Sequence, residues 1–91
     1  MTMDTDKANA MVQSGRVADV LGQVLDRMQP EAVYFTPRDG RRSCVIVFDL
    51  DDPSRIPTLS EPLFQHFGAE LSLQPAMSLD DLRSGLAAVQ V

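Results

Sequence analysis

The sequence predicts a single α+β domain that spans residues 1–91. Segments with the 3.6-residue apolar spacing of helices alternate with segments that show the two-residue spacing of strands, and proline or glycine separates most of them. Apolar residues make up 44% of the chain, a fraction that excludes intrinsic disorder for most of it. A chain of this length buries only about two-thirds of its surface on folding, so we expect its own core to be small.

Two helices are expected before Pro30. Apolar residues repeat at helical spacing from Val17 to Met28 within about 100° of arc, which predicts an amphipathic helix that ends before the proline. The segment from Asp6 to Gln13 is also expected to be helical. Its apolar residues are out of phase with the later stripe, and Ser14-Gly15 lies between the two segments, so we expect a break or kink there.

A β-hairpin is predicted for the middle of the chain. The runs Ala32–Thr36 and Cys44–Leu50 are rich in β-branched and aromatic residues, and the Pro37-Arg38-Asp39-Gly40 sequence between them is typical of a turn. From Cys44 to Phe48 both faces of the second strand are apolar. An antiparallel sheet with one solvated face would instead alternate apolar and polar residues. We therefore expect the helices of this chain to cover one face and a partner subunit to cover the other.

Three further elements are predicted after the hairpin. Apolar residues at helical spacing run from Ile56 to Phe67, and we expect Pro62 to kink this helix or to divide it into two short ones, with Pro62 near the start of the second. The clean alternation from Ala69 to Gln74 predicts a half-buried strand. Ser78, followed by acidic residues, is expected to cap a terminal helix of about ten residues.

The order of these elements is helix, strand, strand, helix, strand, helix. One strand in front would complete the ferredoxin-like βαββαβ arrangement, in which helices lie on one face of an antiparallel sheet. Residues Met1–Met3 supply at most a stub of that first strand. We expect the rest of the strand to be encoded upstream of Met1, because losing an interior strand would expose a ladder of unpaired backbone groups.

Six short motifs lie between Pro30 and Leu82, and the resemblance that they support covers roughly Asp4 to Leu86. They are Pro30-Glu31-Ala32-Val33-Tyr34-Phe35, Phe48-Asp49-Leu50-Asp51-Asp52, Ile56-Pro57, Glu61-Pro62-Leu63-Phe64, Pro75-Ala76-Met77 and Asp81-Leu82. Together they resemble a family of small bacterial proteins of the dimeric α+β barrel (muconolactone-isomerase-like) class. The resemblance implies a ferredoxin-like protomer whose sheet packs face to face with that of a second copy. By analogy with other proteins of that fold, it also implies a small, mostly apolar ligand and an isomerase or oxygenase reaction without a cofactor.

The charge of the chain argues against nucleic-acid binding, because thirteen acidic and eight basic residues leave a formal net charge of −5. Cys44 is the only cysteine, so no internal disulfide can form, and the first ten residues contain no apolar run. We therefore expect a cytoplasmic protein that does not contact membranes. No glycine-rich phosphate loop or dinucleotide motif occurs, so we expect no nucleotide cofactor and no other cofactor.

Tyr34, Glu61 and His66 are the candidate ligand-binding residues. Tyr34 would place a hydroxyl group in a cavity if its face of the sheet lines one. His66 is the only histidine, which excludes a site built on paired histidines. Glu61 and His66 lie about 140° apart on a regular helix, so only a strong kink at Pro62 could bring them together. Packing is the alternative explanation for Tyr34 and His66.

Three other groups of side chains have simpler explanations. Arg38, Arg41 and Arg42 form either a solvated turn or an anion-binding cluster. The acidic residues Asp49, Asp51 and Asp52 are better explained by N-capping of the next helix than by a cation site. Cys44 is expected to pack as a small apolar side chain, and we expect no metal site.

Two functions from different classes stay open on these grounds. The first is a homodimeric barrel that binds a small, mostly apolar molecule and isomerises or oxidises it without a cofactor. The second is a non-catalytic dimerisation or protein-interaction module in which side chains fill the sheet face and no cavity exists.

Overall fold

The structure, a computed structural model, describes residues 1–89; positions 90 and 91 of the predicted domain lie outside the described residues. Within residues 1–89 it contains four α-helices and a two-stranded antiparallel sheet, which confirms the α+β class. The elements in chain order are α1 (Thr5–Ser14), α2 (Val17–Met28), β1 (Ala32–Arg38), β2 (Arg41–Val47), a 3-10 turn (Pro53–Arg55), α3 (Ile56–Phe67) and α4 (Leu79–Ala87).

Strands β1 and β2 form the predicted hairpin around a two-residue turn, Asp39 and Gly40. The φ angles of these two residues are 51° and 74°, the backbone that Asp-Gly favours and that matches the twist of the flanking strands. Both strands continue closer to the turn than predicted. Pro37 is accommodated inside β1 because β1 lies at the edge of the two-stranded sheet.

The N-terminal segment Met1–Met3 lies beside β2 as a short third extended segment. Thr2 forms antiparallel bridges to Ser43 on one side and to Glu70 on the other. The amide nitrogen of Met3 donates to the carbonyl oxygen of Arg42 at 2.9 Å, and the amides of Thr2 and Glu70 donate to each other's carbonyl oxygens at 2.9 and 2.8 Å. The predicted stub therefore lies between the hairpin and the segment around Glu70.

The strand predicted from Ala69 to Gln74 is wrong beyond its first residues. Glu70 forms a single bridge, and the chain from Leu71 onward has no regular structure until α4. The burial pattern is correct at the start, where Ala69 is buried and Leu71 packs against the core, but Leu73 is exposed. A ladder needs a partner along its whole length, and the segment opposite, Met1–Met3, offers only three residues.

Helices α1, α2 and α3 pack together and share a single core, and α1 contacts β2 on one face of the hairpin. Phe35 of β1 lies on this face opposite Cys44 but stays exposed. Ile46 of β2 packs against this core, and Cys44, on the same face, is buried. One apolar face of β2 is therefore covered by the helices of the chain, as predicted. The core residues are Met3, Ala8, Met11, Val20, Val24, Met28, Leu59, Leu63, Phe67 and Ala69.

Helix α3 runs without interruption through Pro62, so the predicted kink or division at that residue is wrong. An interior proline costs a helix about 3 kcal/mol, because it removes one hydrogen bond and crowds the preceding turn. The buried side chains of Leu59, Leu63 and Phe67 each contribute roughly 1.5–3 kcal/mol, and only a continuous helix points all three into the core. The break lies earlier, where the 3-10 turn gives way to α3 at Ile56.

The ends of the first three helices follow the predicted signals. Gly15 ends α1 with a φ of 73°, and Gln29 ends α2 just before Pro30 with a φ of 50°. Gly68 ends α3 with a φ of 54°. A Cβ atom at position 68 would lie 2.9 Å from the Cβ of Asp4, so this stop requires glycine for its space as well as for its backbone.

Residues 72–89, which we call the C-terminal arm, lie apart from this packed body. Helix α4 packs against no other helix or strand of the described chain. The body and arm together measure 55 × 28 × 17 Å, with a Cα radius of gyration of 15.9 Å. A compact chain of this length has a radius of gyration of about 12 Å, so the arm extends well beyond the body.

Candidate functional site

The face of the hairpin turned away from the helices is open, and we call it the open sheet face. It consists of the side chains of Ala32, Tyr34 and Thr36 on β1 and of Val45 and Val47 on β2. Ser43, opposite Thr36, lies on the same face but is buried beside Thr2, to whose hydroxyl oxygen it donates a hydrogen bond of 3.2 Å. Tyr34 lies directly opposite Val45 and Ala32 opposite Val47 in the register of the hairpin. Tyr34, Val45 and Val47 are exposed. The second apolar face predicted for β2 therefore exists and has no cover within residues 1–89.

The open sheet face is basic at the end near the turn. Arg38 and Arg41 lie opposite each other on this face, whereas Arg42 points to the other side and donates to Oδ1 of Asn9 at 2.8 Å. The guanidinium of Arg41 donates to the carbonyl oxygen of Met3 and pairs with the carboxylate of Glu70, both at 3.2 Å. The three arginines therefore do not converge as a single anion-binding cluster.

Tyr34 is the one candidate ligand-binding residue on the open sheet face, where 66% of its surface is exposed. Its neighbours on this face are Ala32, Val45 and the smaller Thr36, so Tyr34 is the one aromatic side chain with a polar tip at the centre of the hairpin. A tyrosine hydroxyl that becomes buried normally requires a hydrogen-bond partner. Any molecule or chain that covers this face therefore has to supply a polar group or a water at that point.

Glu61 and His66 lie on α3, in the helical layer on the other side of the hairpin from Tyr34. The carboxylate of Glu61 accepts a hydrogen bond from Nε2 of Gln65 at 3.2 Å. His66 lines an open groove of about 410 Å³ between the ends of α1 and α3, together with Lys7, Met11 and Arg16 among others. The structure thus brings His66 toward α1 and does not bring the three candidate residues together.

The side chains of Cys44, Asp51 and Asp52 have structural roles. Burial raises the pKa of the Cys44 thiol, and the nearby N-terminal ammonium group opposes this effect only in part, so the thiol stays protonated in the core. A hydrogen bond from Arg55 at 2.7 Å lowers the pKa of Asp51. Asp52 caps the 3-10 turn by accepting from the Ser54 amide, which lowers its pKa. In the described part of the chain no acidic, histidine or cysteine side chains group into a metal site.

The exposed stripe of α4 is the feature that sequence reasoning did not anticipate. The helix itself is predicted correctly, and Ser78 and Asp81 form a reciprocal capping box at its start. Its apolar side chains Leu79, Leu82 and Leu86, with Val89 beyond its end, are all exposed. Amphipathic spacing shows which side of a helix is apolar, but it contains no information on what covers that side.

A comparison of the chain with protein-family models, with curated proteins and with solved structures finds no match. Among residues 1–89, no helix combines the length and apolar character needed to cross a membrane.

Proposed function

We propose that this chain is a self-associating subunit, a homodimer in which a second copy covers the open sheet face. The observation that carries the proposal is the exposure of Tyr34, Val45 and Val47 side by side in the middle of a regular hairpin. Contiguous apolar surface of this kind is typical of an interaction site. A non-catalytic dimerisation module is the function that this surface supports best.

The ferredoxin-like arrangement is part of this proposal. In the split βαβ arrangement, the first strand lies between the second strand of the hairpin and the last strand. Thr2 has these two neighbours, because it bridges Ser43 of β2 and Glu70 in antiparallel orientation. Three helices on one face of the hairpin leave the other face free for a second copy, as the dimeric barrel implied by the sequence resemblance requires.

Binding of a small, mostly apolar molecule is a second candidate function, and it rests on Tyr34. Between two copies, the open sheet face would become part of an enclosed apolar space, and the hydroxyl of Tyr34 is the group that could orient a ligand there. Glu61 and His66 lie in the helical layer, so they do not contribute to the same space within one chain. The isomerase chemistry implied by the resemblance would have to use Tyr34 and the ligand itself, and the oxygenase chemistry would also need dioxygen as the oxidant.

Light scattering at micromolar concentration tests the dimer. We expect a mass of about 20 kDa for the native chain, twice the 10.0 kDa of one copy. Val45→Asp is expected to shift the mass to that of a monomer, because a charge on the covered face would be desolvated on association. Val12→Asp is the matched control, since Val12 on α1 is similarly exposed (51% against 54% for Val45) but lies on another surface. A monomeric native chain, or equal effects of the two substitutions, would refute the proposal.

Titration of the dimer with 4-ethylphenol, followed by NMR chemical shifts, tests the ligand hypothesis. This probe has an apolar body and one hydroxyl group, as the proposed space requires. We expect shifts of residues on the open sheet face and weaker binding to Tyr34→Phe, by a factor of about 5–10 for one lost hydrogen bond. His66→Ala is the control and should bind as the native chain does. Shifts confined to the groove beside His66 would contradict the assignment.

A further inference from the structure

The C-terminal arm presents a second apolar surface that the packed body does not use. The side chains of Leu79, Leu82, Leu86 and Val89 fall within about 80° of arc on one side of α4 and its extension. Leu73 and Met77, in the segment before the helix, are also exposed. The capping box at Ser78 stabilises α4 locally, so the helix does not depend on tertiary contacts for its start.

The open sheet face is too small to hold a dimer together by itself. Its three large exposed side chains offer roughly 300 Å², at about 100 Å² each, whereas a stable interface buries about 800 Å² on each partner. The six exposed apolar side chains of the arm add roughly 600 Å² by the same measure, which brings the total to about 900 Å² per copy. The two surfaces together therefore reach the size that either alone lacks.

The charges near the two surfaces are opposite in sign but do not place the stripe of α4 on the sheet. The first turn of α4 contains Asp80 and Asp81, and the end of the open sheet face near the turn contains Arg38 and Arg41. Glu70 pairs with Arg41 and not with Arg38. Asp80 already lies 3.9 Å from Arg83, and Asp81 accepts a hydrogen bond from the Ser78 amide in the capping box. Both carboxylates also lie about 120–140° around the helix from the centre of the apolar stripe, so they point away from any surface that the stripe covers.

The dimensions of the two surfaces agree. From Leu79 to Val89 the apolar stripe is about 15 Å long in helical geometry. From Arg38 to Ala32 the strand is about 20 Å long. When it is aligned with the strands, the stripe of α4 is long enough to extend over Tyr34, Val45 and Val47.

We propose that in the homodimer the arm of each copy lies on the open sheet face of the other, a reciprocal exchange that rests on the dimer proposed above. The partner's α4, rather than its sheet, then covers Tyr34, Val45 and Val47. A second copy is the occupant because the arm of one chain extends away from its own body, as the 55 Å length of the molecule requires. Exchange of an identical element between two copies is a low-cost route to a dimer.

Two charge insertions on opposite sides of α4 test the exchange in the full-length chain. Leu82→Asp with Leu86→Asp places two charges in the apolar stripe, and we expect the dissociation constant of the dimer to rise on the order of 100-fold or more. Ser84→Asp with Ala88→Asp adds the same charge at the same spacing on the polar side of the helix and should leave the dimer intact. Circular dichroism of both double variants checks that the body stays folded.

The outcomes separate this inference from the proposed function. If the Leu82→Asp and Leu86→Asp variant stays dimeric while Val45→Asp dissociates, the arm exchange is overturned and a sheet-to-sheet dimer stands. If the native chain is monomeric, both proposals are refuted.

Isotope-filtered NOE spectra of a dimer mixed from ¹³C-labelled and unlabelled chains identify which copy supplies the arm. We expect contacts between the methyl groups of Leu86 in one copy and those of Val45 in the other. Contacts between these residues only within a single chain would show that the arm folds onto its own sheet, and would overturn the exchange.

Discussion

Helices α3 and α4 are both amphipathic, but they have opposite surroundings. The stripe of α3 points into the core, where Leu59, Leu63 and Phe67 are almost fully buried. In α4 the corresponding stripe is open to solvent, with 61% of Leu86 exposed. Their local sequences suggest the reverse, because α3 contains an interior proline whereas α4 has a complete capping box.

The difference shows that two separate contributions stabilise these helices. Burial on α1 and α2 holds α3 together despite Pro62. Local hydrogen bonds at Ser78 hold the start of α4, which has no tertiary partner within residues 1–89. Substitutions that act on burial should therefore affect α3 strongly, and substitutions that act on local structure should affect α4 mildly.

Removing a buried side chain from α3 should have the largest effect. Phe67 is 0% exposed and Phe64, in the same helix, is 41% exposed. We expect Phe67→Ala to lower the free energy of unfolding by about 3–5 kcal/mol, through lost transfer free energy and a cavity. Phe64→Ala should cost less than about 1.5 kcal/mol, as measured by urea unfolding. Equal losses of unfolding free energy in the two variants would contradict the difference in burial between the two sides of α3.

The glycine that ends α3 should come next. Gly68→Ala introduces a Cβ atom 2.9 Å from that of Asp4 at a positive φ, so we expect a loss of about 1–3 kcal/mol in the free energy of unfolding. Gly85, inside α4, has no atom near its would-be Cβ. Gly85→Ala should instead favour helix formation in α4 by about 1 kcal/mol, the difference in helix propensity between glycine and alanine. It should leave the free energy of unfolding of the body unchanged. Thermal unfolding and far-UV circular dichroism measure both.

The capping box of α4 should have a smaller, local effect. Ser78→Ala removes the side-chain acceptor for the Asp81 amide, a hydrogen bond of 3.1 Å. We expect about 1 kcal/mol less helix stability, which corresponds to roughly fivefold faster hydrogen exchange of the α4 amides. The measurement belongs in the Val45→Asp background, which separates it from self-association. Faster unfolding of the body, or faster hydrogen exchange of its amides, would be inconsistent with a free arm.

The segment that leads into α3 should show the smallest effect. The hydrogen bond from Arg55 holds the pKa of Asp51 below its ordinary value, and Ser54 does so for Asp52. Because both pKa values are lowered on folding, these contacts favour the folded chain at neutral pH and lose that effect only as the pH falls through the lowered values. We expect Arg55→Gln to raise the pKa of Asp51 toward its ordinary value and to change that of Asp52 less, as measured by NMR titration of the side-chain carboxyl carbons. Equal pKa changes of Asp51 and Asp52 would contradict the assignment of the Asp51 shift to its hydrogen bond with Arg55.

Much of the local structure could be predicted from the sequence. The Asp39-Gly40 turn, the break at Gly15 and the cap at Ser78 are each specified by one or two residues whose backbone or hydrogen-bonding preference is strong. The strand after Gly68 could not be predicted reliably, because a strand exists only where another chain segment pairs with it. Whether the helix continues through Pro62 likewise depends on the burial of side chains several residues away.

The candidate site was predicted in part. The two apolar faces of β2 correctly indicated a face that this chain does not cover, and Tyr34 lies on it. Glu61 and His66 lie in the helical layer, because the layer that a helix joins depends on which apolar stripes pack together. The exposure of the α4 stripe could not be predicted for the same reason, since no residue in that helix specifies which surface covers its apolar side.

The sequence by itself determined where the chain turns, breaks and caps its helices, because those choices depend on the backbone preferences of neighbouring residues. Only the tertiary structure decided which apolar stripes are buried, which face of the hairpin stays open and how far the arm extends. Burial is a property of surfaces brought together from distant parts of the chain. In the body, the apolar sides of α1, α2 and α3 are buried against one another, whereas the arm that follows has no such contact. What remains exposed on the sheet and on α4 is the surface on which the proposed dimer depends.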